Sequence, residues 1–248
     1  KQAADKGDIV AKITLATMIN EGSNITISKT ESSEYLKLAA DQGDVNSMFK
    51  YATMNYLGDG IEENKQEAAR YYKLAANQGH VDSMFNYAFM LFKGDGIEKN
   101  KKEAARYYKQ AADKGDADSM YNYAVMLDNG DGIEENKKEA ARYYKLAIDK
   151  GNIDAMYNYA EMLSHGDGIV QNRIKAGQYY KMAADKGHVE SMKRYGSMLY
   201  VGVYSKYDKK ESARYYKLAA DQGDADSMRI YATKLYKGKG IKKDLKEA

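Results

Sequence analysis

A reactive site in this 248-residue chain would have to be built without cysteine and with only three histidines. His80 and His188 each follow a glycine at a position suited to capping a helix, and His165 falls in a loop. None has a second ligand at metal spacing. The Asp-Gly-x-Glu segments, such as Asp59-Gly60-Ile61-Glu62, lack the alternating oxygen ligands of a calcium loop. The Gly-x-Gly pairs have no strand before them and no Gly-Lys-Ser/Thr after them, so they read as turns rather than phosphate loops. Without cysteine there are no disulfides, thiolate ligands or cysteine nucleophiles. No nucleophile, base and orienting group come together. The sequence predicts no enzyme, no cofactor and no metal.

What the side chains offer instead is contact. The chain carries 24 tyrosines but only four phenylalanines, Phe49, Phe85, Phe89 and Phe92. Charge is uneven along it: residues 1–192 hold 25 Lys+Arg against 29 Asp+Glu, and residues 193–248 hold 14 against 7. Such a gradient favours an acidic partner at the C-terminal end. A nucleic-acid interface would need a basic stripe along one face, which only the last two repeats offer, so none is expected.

The elements that position these residues follow from a period. A block of the form A-A-D-K/Q-G-D recurs every 36 residues, with glycines at Gly7, Gly43, Gly79, Gly115, Gly151, Gly187 and Gly223. A period of this size marks units that bury their apolar faces only by stacking. In the unit 116–151, Asp116 caps a first helix, and Met120, Tyr123, Ala124 and Leu127 form its apolar stripe. Gly130-Asp131-Gly132-Ile133 makes the turn. Asn136 caps a second helix with Glu139 as the reciprocal half of a capping box. Asn64 with Glu67, Asn100 with Glu103, Asp208 with Glu211 and Ser28 with Glu31 repeat that pattern. Ala140, Tyr143, Tyr144, Ala147 and Ile148 line the second helix, which ends at Gly151. Zero proline suits unbroken helices. The fold class is therefore all-α, a stack of helical hairpins.

These residues resemble the Sel-1-like repeat family, itself akin to the tetratricopeptide (TPR) repeats. Ser119, Tyr123, Ala124 and Leu127 occupy the first-helix positions of the family pattern. Gly130 and Gly132 match its double glycine, Ala140 and Tyr143 its second helix, and Ala147 to Gly151 its terminal block. Tyr for Leu, and mostly Ala for Gly, are departures that imply a somewhat differently packed hairpin. The resemblance implies a right-handed α-solenoid of 36-residue Sel-1-like repeats. It also implies adaptor roles, and the cysteine count excludes the cysteine-bridged members. The expected organisation is one solenoid over 1–248, with hairpins at 8–43, 44–79, 80–115, 116–151, 152–187, 188–223 and an incomplete 224–248. Both ends fall inside a repeat, so a fragment of a longer protein is expected. With no signal pattern or apolar span, the expected compartment is cytoplasmic. One glycosylation triplet, Asn24-Ile25-Thr26, is expected by chance in a chain this long and carries little weight.

Positions constant across repeats read as framework: Met48, Met84, Met120, Met156, Met192 and Met228; Tyr51 and its equivalents; and the pairs Tyr71-Tyr72 through Tyr215-Tyr216. In TPR-like hairpins the groove positions lie one, five and eight places after the first large core residue of the first helix. By that resemblance all four phenylalanines face the groove. The expected floor is Phe49, Tyr56, Phe85, Phe89, Phe92, Tyr121 and Val125, an apolar seat for a peptide or helix. The competing reading packs these rings against adjacent helices. Lys193, Arg194 and Arg229 take the equivalent face later on, with Lys234, Lys237, Lys239, Lys242 and Lys243 following. They read as an acceptor for acidic segments or, the preferred reading, as a solvated basic face. Asn86, Asn122 and Asn158 are candidates to clasp a bound backbone, and the sixth unit replaces its second glycine in Gly202-Val203-Tyr204-Ser205-Lys206-Tyr207. The sequence thus predicts a protein-interaction scaffold binding a peptide or helix on its concave face. The alternative is a structural component of a cytoskeletal or ciliary assembly, docked on an acidic surface through the basic C-terminal end.

Overall fold

The computed structural model describes residues 8–20, 28–202 and 207–246. Gly7, the Asn24 triplet and the segment Val203 to Lys206 lie outside the described residues. Thirteen helices are present among them, and no strand. They are α1 (Ile9–Asn20), α2 (Lys29–Asp41), α3 (Val45–Leu57), α4 (Lys65–Asn77), α5 (Val81–Lys93), α6 (Lys101–Asp113), α7 (Ala117–Asn129), α8 (Lys137–Asp149), α9 (Ile153–His165), α10 (Arg173–Asp185), α11 (Val189–Val201), α12 (Lys209–Asp221) and α13 (Ala225–Lys237). Successive helices pair as hairpins of the α-solenoid class. The chain divides into two compact units, residues 1–119 with 131–133, and residues 120–130 with 134–248.

Local chemistry sets the helix ends. The side chains of Asn64, Asn100 and Asn136 accept from the backbone N–H three residues on, at 3.0 Å each. His80 and His188 cap α5 and α11 through Nδ1, which accepts from Ser83 N–H at 3.2 Å and Ser191 N–H at 3.1 Å. The reciprocal half of the capping box does not form. The Asn64 and Asn136 N–H groups donate instead to the carbonyls of Asn55 and Leu127 on the partner helix, at 2.8 Å in both cases. Glu67 and Glu139 instead hold Arg70 and Arg142 at 2.9 and 2.6 Å. His165 ends α9 rather than lying in a loop, because its helix runs to the left-handed cap Gly166.

Within each hairpin the helices meet through alanine and tyrosine. Ala52, Ala88, Ala124 and Ala160 are fully buried, and the missing bulk brings the backbones close. Edge-to-face ring pairs flank them: Tyr51–Tyr71 at 4.9 Å, Tyr87–Tyr107 at 5.0 Å, Tyr123–Tyr143 at 4.8 Å, Tyr159–Tyr179 at 5.1 Å and Tyr195–Tyr215 at 4.9 Å. Such pairs contribute about 0.5–1.5 kcal/mol beyond burial. The framework reading holds for all of these positions except Met228, which is 47% exposed. No second helix of its hairpin lies among the described residues to cover it.

Hairpins are joined by contacts thirty residues apart. Tyr107 donates to Asn77 at 2.8 Å and Tyr215 to Asp185 at 2.6 Å, while Tyr71 reaches Asp41. In four second helices the first lysine meets the aspartate of the next turn: Lys29–Asp59 at 2.5 Å, Lys65–Asp95 at 2.8 Å, Lys137–Asp167 at 2.5 Å, and Lys101 with Asp131. The glycine after that aspartate is required twice over. Gly96 has φ +73°, and a Cβ there would come within 2.2 Å of the Lys65 Cβ.

Candidate functional site

In the first unit, α3 and α5 each present the face one, five and eight places after their methionine, and Tyr72 of α4 rises between them. Tyr56, Tyr72, Phe85, Asn86, Phe89 and Met90 line a cavity of about 210 Å³. Phe85 also packs edge-on against Tyr108 at 5.8 Å. Phe49 rests against Tyr72 at 6.0 Å and His80 at 4.8 Å. Phe92 lies under the ammonium groups of Lys93 and Lys101, at 5.7 and 5.4 Å. All four phenylalanines are half-buried, so each ring meets both helix and solvent.

The polar groups beside the cavity are already engaged. The Tyr56 hydroxyl donates to Asp95 at 2.8 Å, and Thr53 and Tyr72 share a hydrogen bond of 3.0 Å. Burial pushes the Tyr72 hydroxyl above its ordinary value, so it stays protonated at neutral pH. The lining chemistry is therefore aromatic and thioether with one amide, suited to an apolar side chain. A second cleft in this unit, of about 450 Å³, lies among Arg70, Lys73, Tyr87 and Glu103. Its charges answer one another, Lys73 reaching Glu103 at 3.8 Å.

The second unit presents a more polar face. Tyr121 packs against Tyr144 at 6.1 Å. Val125 lines a cleft of about 400 Å³ with Asp128, Tyr144, Asn158 and Glu161. Burial raises the Asp128 carboxyl above the usual range, only partly offset by Lys137. Asn158 donates to the Tyr144 hydroxyl at 3.2 Å, so this amide is tied to its neighbour. Lys193 pairs with Glu190 at 3.0 Å and Asp224 at 3.4 Å, Arg194 with Glu161 at 3.0 Å, and Arg229 with Asp226 at 3.5 Å.

Of the sequence-derived residues, Tyr56, Phe85 and Phe89 come together around one cavity. Phe49 and Phe92 touch its surroundings. Tyr121, Val125, Lys193, Arg194 and Arg229 belong to the other unit. The sequence reading placed Tyr72 in the constant framework and did not single out Met90. The signal for Tyr72 was its pairing: Tyr71 turns inward to Tyr51, so the adjacent ring must point elsewhere. No group of three or more His, Asp or Glu side chains able to hold a metal occurs among the described residues. None of the helices is long and apolar enough to cross a membrane.

The sequence matches the Sel1 repeat in seven successive blocks, at residues 15–44, 45–80, 81–116, 117–152, 153–188, 189–224 and 225–248. The chain belongs to the Sel1 repeat family. No curated protein sequence matches it. Among solved structures, this Sel1 chain is similar to c5321, a protective antigen of uropathogenic Escherichia coli with the SLR fold. The TM-score is 0.90 at 24% identity, over 99% of this chain and 53% of that one. It thus spans about half the length of that relative. A Sel1 repeat protein from Oxalobacter formigenes aligns at TM-score 0.81 and 25% identity, over 95% of this chain and 93% of its own. Yeast Tom70 aligns at TM-score 0.50 and 15% identity, over 93% of this chain and 46% of its own. The Sel1 repeat is a non-catalytic, TPR-like fold that generally serves as a protein–protein interaction scaffold.

Proposed function

We propose that this chain is a non-enzymatic scaffold that binds a protein segment on the face of the first unit carrying Phe49, Tyr56, Phe85, Phe89 and Phe92. The observation that carries the reading is the cavity of about 210 Å³ lined by Tyr56, Tyr72, Phe85, Asn86, Phe89 and Met90. A pocket of this size suits one aliphatic or aromatic side chain of a bound peptide, and rigid aromatics are the usual anchors of an interface. The Tyr56, Thr53 and Tyr72 hydroxyls already hold hydrogen bonds, so apart from the Asn86 amide what remains to drive binding is apolar contact. Such binding changes little with salt, because screening acts on charges.

Docking on an acidic surface through Lys193, Arg194 and Arg229 is the competing reading. It is less favoured because each of these side chains has an acidic neighbour within 3.5 Å. A pulldown from cell extract tests the choice, comparing the parent with a Phe85→Ala, Phe89→Ala, Phe92→Ala variant whose helicity is checked by circular dichroism. A partner lost from a folded variant supports the aromatic face. Partners retained at full yield overturn it.

A further inference from the structure

Lys193, Arg194, Arg214 and Arg229 of the second unit all have carboxylate partners. Two lysines that meet Tyr200, and a third over the neighbouring ring of Tyr207, do not. The Lys234 ammonium stands 4.2 Å over the Tyr200 ring and 5.3 Å over that of Tyr216, and donates to the Ser212 hydroxyl at 3.2 Å. Lys239 donates to the Tyr200 hydroxyl at 3.5 Å. Lys209 lies 5.2 Å over Tyr207, whose ring is 6.2 Å from that of Tyr200. Among the described residues no carboxylate oxygen lies within 4.0 Å of any of the three ammonium groups.

The repeat shows what this place holds elsewhere. Four repeats earlier the equivalent residues are Tyr56, Lys65, Met90 and Asp95. There the Asp95 carboxylate accepts from Lys65 and from Tyr56, at 2.8 Å each. In the last repeat the tyrosine and the first lysine are kept. The aspartate has become Lys239 and the core methionine has become Lys234, which is only 5% exposed. The loop is seated as before: a Cβ on Gly240 would fall 2.1 Å from the Lys209 carbonyl oxygen, much as one on Gly96 would meet Lys65. Burial, and the charges of Lys239 and Lys209, push the Lys234 ammonium below its ordinary value. An added anion relieves that strain.

We propose that Lys209, Lys234 and Lys239 form an anion site around Tyr200, which takes a side-chain carboxylate from an acidic segment of a partner protein in the place that Asp95 fills earlier. The choice of a carboxylate follows from the frame itself, since the same lysine and tyrosine hold one at the earlier position. The site is separate from the aromatic cavity and does not depend on that reading.

Hexaglutamate titrated into the full chain by calorimetry, with inorganic phosphate titrated separately, tests this. Lys239→Asp restores the internal acid and Lys234→Met the core residue, so both variants return to the sequence of other repeats and keep the fold. Saturable binding of one hexaglutamate per chain is expected, weakening with salt and falling by about tenfold or more in Lys239→Asp. A smaller loss is expected in Lys234→Met. Absence of saturable binding, undiminished affinity in Lys239→Asp, or phosphate binding as tightly as hexaglutamate would each overturn the proposal.

Discussion

The Lys65 ammonium and the Asp95 carboxylate, thirty residues apart, meet at 2.8 Å, and Asp95 also accepts from the Tyr56 hydroxyl. Lys65 first, and Tyr56 second, hold the Asp95 carboxyl below the usual carboxylate value. A depressed carboxylate contributes stability that is complete above its unfolded value, about 4, and is lost as pH falls through the lower folded value. Asp95→Asn should therefore lower the melting temperature at about pH 6, and the gap between parent and variant should narrow by about pH 3. Thermal melts at both pH values check this. An equal gap at both would mean that the clasp adds nothing.

Two glycines with similar backbone angles should respond differently to a methyl group. Gly115 has φ +99° and open space around its missing Cβ, whereas Gly96 has φ +73° and the Lys65 Cβ in the way. Gly115→Ala should cost about 1 kcal/mol for the angle alone, and Gly96→Ala about 2–4 kcal/mol through added overlap. Chemical denaturation of the two variants measures the difference. Equal costs would contradict the close approach of the turn to α4.

Helix ends were legible in the sequence because capping is local: Asn64, Asn100 and Asn136 each need only the N–H three residues on. The capping box failed for a reason that short spacing cannot show. The Asn64 N–H is taken by Asn55 across the hairpin, and that contact exists only once α3 and α4 have packed. The period likewise exposed the constant lysines and aspartates, but not that Lys65 meets Asp95, which depends on how one hairpin seats on the next. Phe85 and Phe89 were found because they vary where the framework does not. Tyr72 was missed because it recurs at 108, 144, 180 and 216, and recurrence hides a residue that both packs and lines a cavity.

Ser119 is fully buried, and its hydroxyl has no hydrogen-bond partner among the described residues. The equivalent residue one repeat on is Ala155, also fully buried. Ser119→Ala should be neutral or stabilising by up to about 1 kcal/mol, since it removes an unmet polar group and little volume. A clear loss of stability in a denaturant titration would show that the hydroxyl has a partner after all.

Ala124 lies fully buried at a helix–helix contact of the second unit. Ala124→Leu should overpack that hairpin and cost about 1–3 kcal/mol. Hydrogen exchange should localise the damage to neighbouring helices, since stability in a repeat array is shared between neighbours. An unchanged melt would place Ala124 outside the contact.

The central claim, that apolar contact with the Phe85 and Phe89 cavity captures a peptide, is tested most directly by selecting displayed random peptides on the chain and measuring their affinity for parent and Phe85→Ala proteins. The account predicts peptides sharing an aliphatic or aromatic anchor, affinities nearly independent of salt, and a loss of about tenfold or more in a Phe85→Ala protein of unchanged helicity. Selected peptides that lack an apolar anchor, or that bind parent and variant alike, would contradict it.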